Sequence, residues 1–552
     1  MFNYILLSIK GYKKEFLRND VISGVVVAAL TIPVSMGYAQ VAGLPPIYGL
    51  YASFLPVLAY IIFASSPQLI YGIDATASAV TGSILLAAGI AAGSTEALIY
   101  APLLAFFTGV FMLLFAALHL GRFASYISTP VMSGFISGIS ISIIVGQIPK
   151  IMGVSGGGSD FFANISAIFT QLGGINWISL VMGIIAAAII LVAKKFFRKI
   201  PVALIILVLG TAITAFFRLD QYGVVIVGEI PQGLPAFSLP DFAAIDNWTF
   251  VILGGLVSAI ACFAGSLLPS KSFAMRNKYT VDDNREIFAY GVANIAAAIS
   301  GTAPTSASVS RTAANEQFRG KTQVVSIVAA GVIAFVLLFL SGLLYYMPQP
   351  VLSAIVLAAL VGVIDIDVSI ALFRHTKREA TIWLVSLLGV LLVGVLFGVM
   401  VGIVLSFLVI IANVVSSQSA ELGVIPEREG YFDMHRHDDA QAIEGVVIYR
   451  YSSPLVFANI NTFINGLDRA TKKDNPKVVI IDASAITHID VTAADTIRDL
   501  LSHYQEQHIQ YYFANTIGRF RDDLRKNHVS NDIENHLTKT IDEALMRAEI
   551  EI

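Results

Sequence analysis

Long runs without a charged residue constrain this chain more than any other feature of its sequence. Several such runs fall in the first 420 residues, and two of the longest cover residues 21–73 and 322–364. A transmembrane helix needs about 20 mostly apolar residues, so these two runs are each long enough for two passages. Charged residues make up 13% of the chain, against about 25% in an average soluble domain. The sequence therefore predicts an α-helical polytopic membrane protein.

The charges that the chain does carry are concentrated towards its C-terminal end. Residues 421–552 hold 22 acidic and 14 basic side chains, whereas residues 1–420 hold 16 and 21. We therefore predict an intramembrane domain at 1–420 and a hydrophilic domain at 421–552. A net charge of -3 offers no basic surface for nucleic acid, and a single cysteine, Cys262, excludes an intrachain disulfide or a cysteine-based zinc cluster. We expect no cofactor, no metal site and no enzymatic activity.

Fourteen segments are predicted to cross the membrane, and the third and the tenth of them are short and polar. The positive-inside rule favours both termini in the cytoplasm, because the predicted outer loops contain only Lys150 and Arg218 as basic residues. Compact loops and the lack of a targeting extension favour a bacterial inner membrane. The predicted spans are 21–39, 46–64, 74–91, 97–120, 126–148, 175–193, 201–217, 248–270, 286–300, 306–318, 322–346, 349–363, 379–396 and 398–418.

The two short polar segments resemble each other. Residues 74–81 (DATASAVT) and 304–310 (PTSASVS) both place small and hydroxyl residues in a row. They lie seven spans apart, so two seven-span halves would have opposite topology, as in transporters whose broken helices meet at the membrane midplane. A helix N-terminus offers free N–H groups and partial positive charge, which suit an anion. The alternative is that small residues only allow close helix packing.

Two charged residues at predicted membrane depth favour an anion site over simple packing. Buried charges in a membrane are costly and usually functional, and here they are Asp74 and Arg311. The Arg311 guanidinium can supply positive field and paired donors to an anion; alternatively, it only forms an ion pair with Asp74. The other predicted binding residues offer backbone N–H groups or hydroxyls, and they are Ala75, Thr76, Ser308, Val309 and Ser310.

Four motifs resemble the sulfate permease (SulP) family of anion transporters, over nearly the full chain. They are residues 32–39 (IPVSMGYA), 42–51 (AGLPPIYGLY), 227–235 (VGEIPQGLP) and 310–315 (SRTAAN). The resemblance implies a 7+7 inverted repeat with core and gate subdomains, an anion site between spans three and ten, elevator-like movement and a homodimer. It also implies that Tyr38 lines the pocket, whereas composition alone equally allows Tyr38 to be a packing residue.

The C-terminal segment resembles the cytoplasmic STAS domain that this family carries. Residues 446–449 and 478–481 are predicted to be buried strands of an α/β domain, and residues 482–490 followed by a helix resemble the STAS signature. In STAS proteins that act as phospho-switches, a hydroxyl residue directly follows the equivalent of Asp490. This chain has Val491 there, so we expect a structural or partner-docking role instead.

Two departures from the family lie beside the predicted site. Many members carry an acid implicated in cation coupling where this chain has Gly265, and their third span usually opens with glycine-proline, whereas Ile73 and Asp74 follow Gly72 here. An acid is thus present close to where another is missing. We therefore predict that Asp74 is the coupling residue, which binds H⁺ or Na⁺ together with the anion. The alternative is that Asp74 only neutralises Arg311.

The predicted function is secondary active transport of a small anion such as sulfate, bicarbonate or a dicarboxylate, coupled to H⁺ or Na⁺. An uncoupled exchanger or channel on the same fold is one alternative, and a nucleobase transporter, against which Arg311 and the STAS tail argue, is another. A membrane-anchored STAS signalling scaffold is an alternative of a different class. The predicted partners are the anion, the coupling ion, the lipid bilayer, a second copy of the chain and a cytosolic partner of the STAS domain.

Overall fold

A computed structural model gives the fold of the chain as two compact units, Met1–Ser406 and Phe407–Ile552. The first unit is helical, and the second is built on a five-stranded sheet. The structure describes residues 6–9, 11–122, 129–156, 160–196, 200–364, 366–394, 401, 404–405, 407–409, 411–412, 418–474, 476–529 and 533–550.

Apolar helices dominate the first unit. Among the described residues, six helices are long and apolar enough to cross a membrane, and five more are apolar but shorter. This confirms a helical membrane fold; the count of fourteen spans stays a prediction, and most of the predicted span 398–418 lies outside the described residues. The helices are α1 (Leu17–Val41), α2 (Ile47–Tyr51), α3 (Leu55–Phe63), α4 (Ala75–Ala87), α5 (Thr95–Ala117), α6 (Thr129–Met152), α7 (Phe161–Thr170), α8 (Trp177–Phe196), α9 (Val202–Phe217), α10 (Trp248–Asn277), α11 (Asp283–Ile299), α12 (Val309–Gln317), α13 (Val324–Phe335), α14 (Gln349–Val361), α15 (Ile366–His375) and α16 (Lys377–Val393).

Two of the predicted spans differ from the observed helices, one because it is divided and one because its helix is longer. The predicted span 46–64 is divided into α2 and α3, because Phe54 between them has a non-helical backbone. α10 continues past its predicted end at residue 270 although the added turns carry charges. Lys271 pairs with Asp283 at 2.6 Å, and Arg276 pairs with Glu316 at 2.8 Å, so these charges have partners where the apolar run stops.

Two short strands pair within the first unit. β1 (Tyr71–Gly72) pairs antiparallel with β2 (Ser306–Ala307), so that Tyr71 is opposite Ala307 and Gly72 is opposite Ser306. α4 begins three residues after β1 ends, and α12 begins two residues after β2 ends. Because the strands are antiparallel, the chain leaves the pair in opposite directions. The strand pair therefore brings the two short polar segments of the sequence together.

Hydrogen bonds from α10 and α11 fix the strand pair. Ser266 of α10 accepts a hydrogen bond from the Ala307 N–H at 2.9 Å. Asn294 of α11 accepts from the Thr305 N–H at 2.8 Å and donates to the Tyr71 hydroxyl at 2.9 Å. The Tyr71 hydroxyl in turn donates to the Thr305 carbonyl at 2.8 Å. These bonds join both strands to the two long helices that pack against them.

The second unit is a mixed sheet with helices packed against it. Its strands lie in the order β4-β3-β5-β6-β7; β5, β6 and β7 are parallel, and β3 is antiparallel to both of its neighbours. Two apolar clusters cover the sheet residues, as expected for central parallel strands that are buried. The elements are β3 (Ser419–Gly423), β4 (Phe432–Asp433), β5 (Val446–Tyr451), α17 (Ile460–Asp474), β6 (Val478–Asp482), α18 (Val491–Glu506), β7 (Gln510–Ala514), α19 (Gly518–Lys526) and α20 (Ile541–Arg547).

Two carboxylates organise the STAS signature segment. Asp482 is fully buried and accepts hydrogen bonds from Asn515 at 3.0 Å and from Arg450 at 2.6 Å. Burial raises the pKa of Asp482, but these hydrogen bonds outweigh it and hold the pKa below its ordinary value. Asp490 caps α18 by accepting from the Ala493 N–H at 2.8 Å. The predicted strands are thus present, and Asp490 has a structural role.

Candidate anion-binding site

The N-cap residues of α4 and α12 do not cap their own helices. Asp74 and Ser308 hold these positions with extended backbones, and both are residue types that usually accept a hydrogen bond from the first turn. Within the described structure neither side chain makes such a capping hydrogen bond, although the Asp74 carboxylate interacts with the Ser308 hydroxyl and with the Ala75 N–H. By contrast, Ser94 caps α5 and Asp160 caps α7. The first-turn N–H groups of α4 and α12 therefore lack the side-chain cap that α5 and α7 have.

The predicted binding residues all lie at this crossing. The predicted donors are in the first turns, namely Ala75 and Thr76 in α4 and Val309, Ser310 and Arg311 in α12. Tyr38 is 1% exposed and belongs to α1, which packs against both α4 and α12. The structure thus brings together every residue that the sequence singled out for binding.

Arg311 is 2% exposed, and its guanidinium extends from α12 to the end of β1. Its Nη2 donates to the Ile73 carbonyl at 2.5 Å and lies 3.9 Å from Oδ1 of Asp74. The second distance is too long for a hydrogen bond, so the two charges attract each other without direct bonding. Nε of Arg311 is buried and has no hydrogen-bond partner among the described residues. The guanidinium therefore keeps donor capacity and a charge that Asp74 balances only in part.

Gly72 is required for this approach of Arg311 to β1. Its φ of +146° is one that residues with a side chain rarely adopt, and a Cβ there would lie 3.3 Å from Nη1 of Arg311. Gly265 of α10 is less constrained, because a Cβ there would make an ordinary contact of 3.5 Å with Cγ2 of Thr76. Position 265, where many family members carry an acid, thus faces the first turn of α4.

Two cavities lie beside the half-helices α4 and α12, and each is lined by a different stretch of α6. The α12 cavity, of about 460 Å³, is lined by Val309 and by residues 132–136 at the start of α6. The α4 cavity, of about 380 Å³, is lined by Ala79 and by residues 142–150 at the end of α6. At 1.5 Å per residue, the two stretches of α6 are separated by about 9 Å. Each half-helix thus borders a cavity at a different end of α6.

Among the described residues, the buried carboxylate with the most hydrogen bonds is that of Glu286 at the start of α11, and no feature of the sequence indicated it. Its Oε1 accepts from the N–H groups of Ser65 and Ser66 at 2.6 Å each, and its Oε2 accepts from the Tyr60 hydroxyl at 2.9 Å. The ring of Tyr60 stacks on that of Tyr71, with 4.8 Å between the centroids. These partners lie more than 200 residues from Glu286 in sequence, so no local pattern could reveal the contact.

A second polar group holds the far end of α12. Asn315 accepts a hydrogen bond from Ser23 of α1 at 2.8 Å and donates to the Gln68 carbonyl at 2.8 Å. The Gln68 side chain donates to the Gly320 carbonyl at 2.6 Å. Asn315 is the last residue of the sequence motif at 310–315, and its side chain fixes the end of α12 against neighbouring segments.

Half-helices that meet within a bundle of apolar helices are a feature of many secondary membrane transporters. Comparisons with known proteins identify the family. The model of the sulfate permease family matches residues 17–386, and the model of the STAS domain matches residues 438–544. A probable sulfate transporter of Mycobacterium tuberculosis (strain ATCC 25618 / H37Rv) is 32% identical over 98% of this chain and 97% of its own length. The chain therefore belongs to the sulfate permease family.

Two further comparisons agree with this assignment. The chloroplastic sulfate transporter 4.1 of Arabidopsis thaliana is 34% identical over 92% of this chain and 76% of its own length. The structure of the murine anion transporter Slc26a9 in the inward-facing state has a TM-score of 0.90 at 25% identity, and the match covers 99% of this chain and 94% of that one. These matches confirm the resemblance seen in the sequence, the helical transporter fold and the STAS domain.

Proposed function

We propose that this protein is a secondary transporter that binds sulfate, or a small anion of the same kind, where α4 and α12 meet. The observation that carries the proposal is the pair of first turns whose N-cap residues, Asp74 and Ser308, do not cap them and lie beside the buried Arg311. First-turn N–H groups and the helix dipole together favour oxyanions. Family membership and the names of the two relatives support sulfate as the first candidate, with bicarbonate and dicarboxylates as alternatives.

Arg311 contributes to this site mainly through its charge and by fixing β1. Its Nη2 is bonded to the Ile73 carbonyl, so the direct ligands of the anion are the first-turn N–H groups of Val309 and Ser310 and their counterparts in α4. A cation in a water-poor interior acts more strongly on a nearby anion than it would in water. The nearby Gly72 keeps the guanidinium close to the strand pair.

The two cavities support an alternating-access mechanism. The α12 cavity reaches Val309 and includes Arg276, which belongs to a predicted cytoplasmic loop. Similarity to the inward-facing state of Slc26a9 supports the α12 cavity as the cytoplasmic route and the α4 cavity as part of the opposite route. Elevator-like movement, a homodimer, cytoplasmic termini and a bacterial inner membrane belong to the same proposal, and the family resemblance supports them.

Asp74 is the residue that we propose for ion coupling. Its carboxylate is 14% exposed and stands at the start of α4, 3.9 Å from Arg311 Nη2. Like charges repel, so an anion bound to the first turns is disfavoured while Asp74 is ionised. Binding of H⁺ or Na⁺ to Asp74 removes this repulsion, and linkage then requires that the anion and the cation promote each other's binding. The competing hypothesis is that Asp74 only neutralises Arg311.

Replacement of Asp74 separates these two hypotheses. Under coupling, Asp74→Asn exchanges sulfate in proteoliposomes, but neither a pH nor a Na⁺ gradient drives accumulation. Under simple pairing, gradient-driven uptake keeps its ion dependence. Because position 265 faces Thr76 with room for a Cβ, Gly265→Asp in the Asp74→Asn background offers a relocated carboxylate, and we expect it to restore ion dependence. Unchanged dependence on both gradients in Asp74→Asn would refute the coupling role.

Flux into proteoliposomes tests the transport proposal itself. Sulfate, bicarbonate and a dicarboxylate such as succinate are compared with and without pH and Na⁺ gradients. We expect gradient-stimulated sulfate uptake that excess unlabelled sulfate abolishes. Uptake without gradient dependence would favour an exchanger or channel. If correctly inserted protein shows no anion flux above that of protein-free liposomes, transport is refuted and the STAS signalling scaffold is favoured.

A further inference from the structure

Lys150 stands in the last turn of α6 and lines the α4 cavity. Its Nζ donates to Oε1 of Gln40 at 3.4 Å. Within the described part of the chain, no charged group of opposite sign acts on it. Arg218, the other basic residue of the predicted outer loops, is instead paired with Asp220 at 3.1 Å. Lys150 therefore brings a positive charge to a cavity wall without a described counter-ion.

A buried amide lines the same cavity. Gln147 is 2% exposed, and its Oε1 has no hydrogen-bond partner among the residues that the structure describes. It precedes Lys150 by three residues on α6, so the two side chains share one face of the helix. Buried polar groups are normally hydrogen-bonded, because leaving one unpaired costs free energy. An oxyanion can only accept hydrogen bonds, so it would bind to the NH₂ group of this amide once the amide is rotated towards the cavity.

Gln40 completes the polar wall on the side of α1. Its amide exchanges two hydrogen bonds with that of Gln349, at 2.9 and 2.6 Å, which fixes the orientation of both side chains. The cavity volume of about 380 Å³ is many times the roughly 30 Å³ that one water molecule occupies in the liquid. There is thus space for a small oxyanion with part of its hydration shell between Lys150 and Gln147.

We propose that the α4 cavity is a second anion-binding site, with Lys150 as its cation and with Gln147 and Gln40 as its polar wall. This proposal rests on the transport function proposed above. An anion held there is on the way to or from the first turn of α4, since Ala79 of that helix lines the same cavity. The α12 cavity differs, because its Arg276 is already paired with Glu316 at 2.8 Å. Extra affinity is therefore expected on one face of the membrane only.

The competing explanation assigns Lys150 to the stability of α6. A cation near the C-terminus of a helix interacts favourably with the helix dipole, typically by about 0.3–1 kcal/mol. That role would affect the melting temperature and would leave anion affinity equal to that of the wild type on both faces. The two explanations therefore predict different values of the sulfate KM, which can be measured on each face of the membrane separately.

The test compares sulfate KM from each face of the membrane, in proteoliposomes sorted by orientation, for the wild type, Lys150→Gln, Lys150→Arg and Arg218→Gln. For Lys150→Gln we expect KM on the α4-cavity face to rise by about tenfold, as for the loss of one charge-assisted hydrogen bond. We expect kcat and KM on the other face to stay unchanged. Lys150→Arg should retain most of the affinity, and Arg218→Gln should match the wild type.

Other outcomes overturn the second site. An unchanged KM on the α4-cavity face in Lys150→Gln would do so, with or without a lower melting temperature, as would a rise of the same size on both faces. Absence of anion flux in the wild type would instead refute the transport function, so the two failures are distinguishable.

Discussion

Two groups of buried or partly buried polar residues surround the β1–β2 pair, and they differ in how completely they are hydrogen-bonded. We call Glu286, Asn294 and Asn315 the framework group, and Asp74, Ser308 and Arg311 the site group. Every member of the framework group bonds to at least two partners outside its own helix. In the site group, two N-cap side chains do not cap and the Arg311 Nε has no partner among the described residues. Saturated polar groups hold the fold, whereas unsaturated ones leave room for a ligand.

Removal of the Arg311 charge should have the largest effect on transport. Arg311→Ala deletes a buried cation, and the loss of a charge-assisted contact typically costs about 1.5–3 kcal/mol, or roughly ten- to hundredfold in affinity. We expect sulfate uptake in proteoliposomes to be abolished or severely reduced, with near-normal expression. Arg218→Ala, which removes an exposed cation paired with Asp220, is the matched control. Full uptake by Arg311→Ala would exclude Arg311 from the site.

Replacement of Glu286 should lower stability and leave sulfate affinity unchanged, in contrast to replacement of Arg311. In Glu286→Gln, an amide NH₂ can face the N–H groups of Ser65 and Ser66, which then lose their acceptor; each buried donor left unpaired costs about 1–3 kcal/mol. We expect a lower melting temperature in detergent but an unchanged sulfate KM for the protein that remains folded. A wild-type melting temperature combined with a raised KM would place Glu286 in the site group instead.

Two glycines beside the site offer a finer comparison. Gly72→Ala places a Cβ on a backbone of φ +146° and 3.3 Å from Arg311, and such backbone strain costs on the order of 1–3 kcal/mol. We therefore expect a raised sulfate KM. Gly265→Ala meets only ordinary contacts and should transport like the wild type. Equal uptake kinetics in the two variants would show that the close approach of Arg311 to β1 is not needed.

Deletion of the STAS domain should have the smallest effect on the membrane domain. β3 begins at Ser419, and the apolar runs end before residue 421, so removal of 421–552 leaves all predicted spans intact. We expect the truncated chain to insert with the topology of the full chain, as judged by accessibility of single cysteines, although transport or assembly is weakened. Loss of the membrane topology would show that the predicted domain boundary is wrong.

Composition and local pattern were sufficient to predict the class of fold, and they singled out the residues of the site group, whose part in binding stays a prediction. Asp74 and Arg311 stand out because charges are rare in apolar segments, and the hydroxyl-rich rows at 74–81 and 304–310 mark both half-helices. The β1–β2 pair could not be predicted, because strands of two residues have no periodicity. The role of Glu286 could not be predicted either, because its partners are more than 200 residues away in the sequence. The conformation of Gly72 likewise depends on tertiary contacts.

The central claim is that the first-turn N–H groups of the half-helices bind the anion. Proline is tolerated at the first position of a helix and lacks the N–H group. The residue before it must be extended, as Ser308 is, so Val309→Pro deletes one donor of α12 while the helix is retained. Val309→Ala keeps the N–H, and Thr95→Pro introduces proline at the same position of α5, whose cap Ser94 is also extended.

Sulfate titration by calorimetry, on the purified full-length chain, tests this claim most directly. We expect Val309→Pro to bind sulfate about tenfold or more weakly than the wild type, as for the loss of one hydrogen bond to a charged ligand. Val309→Ala and Thr95→Pro should bind like the wild type. Wild-type sulfate affinity in a folded Val309→Pro variant would contradict the claim.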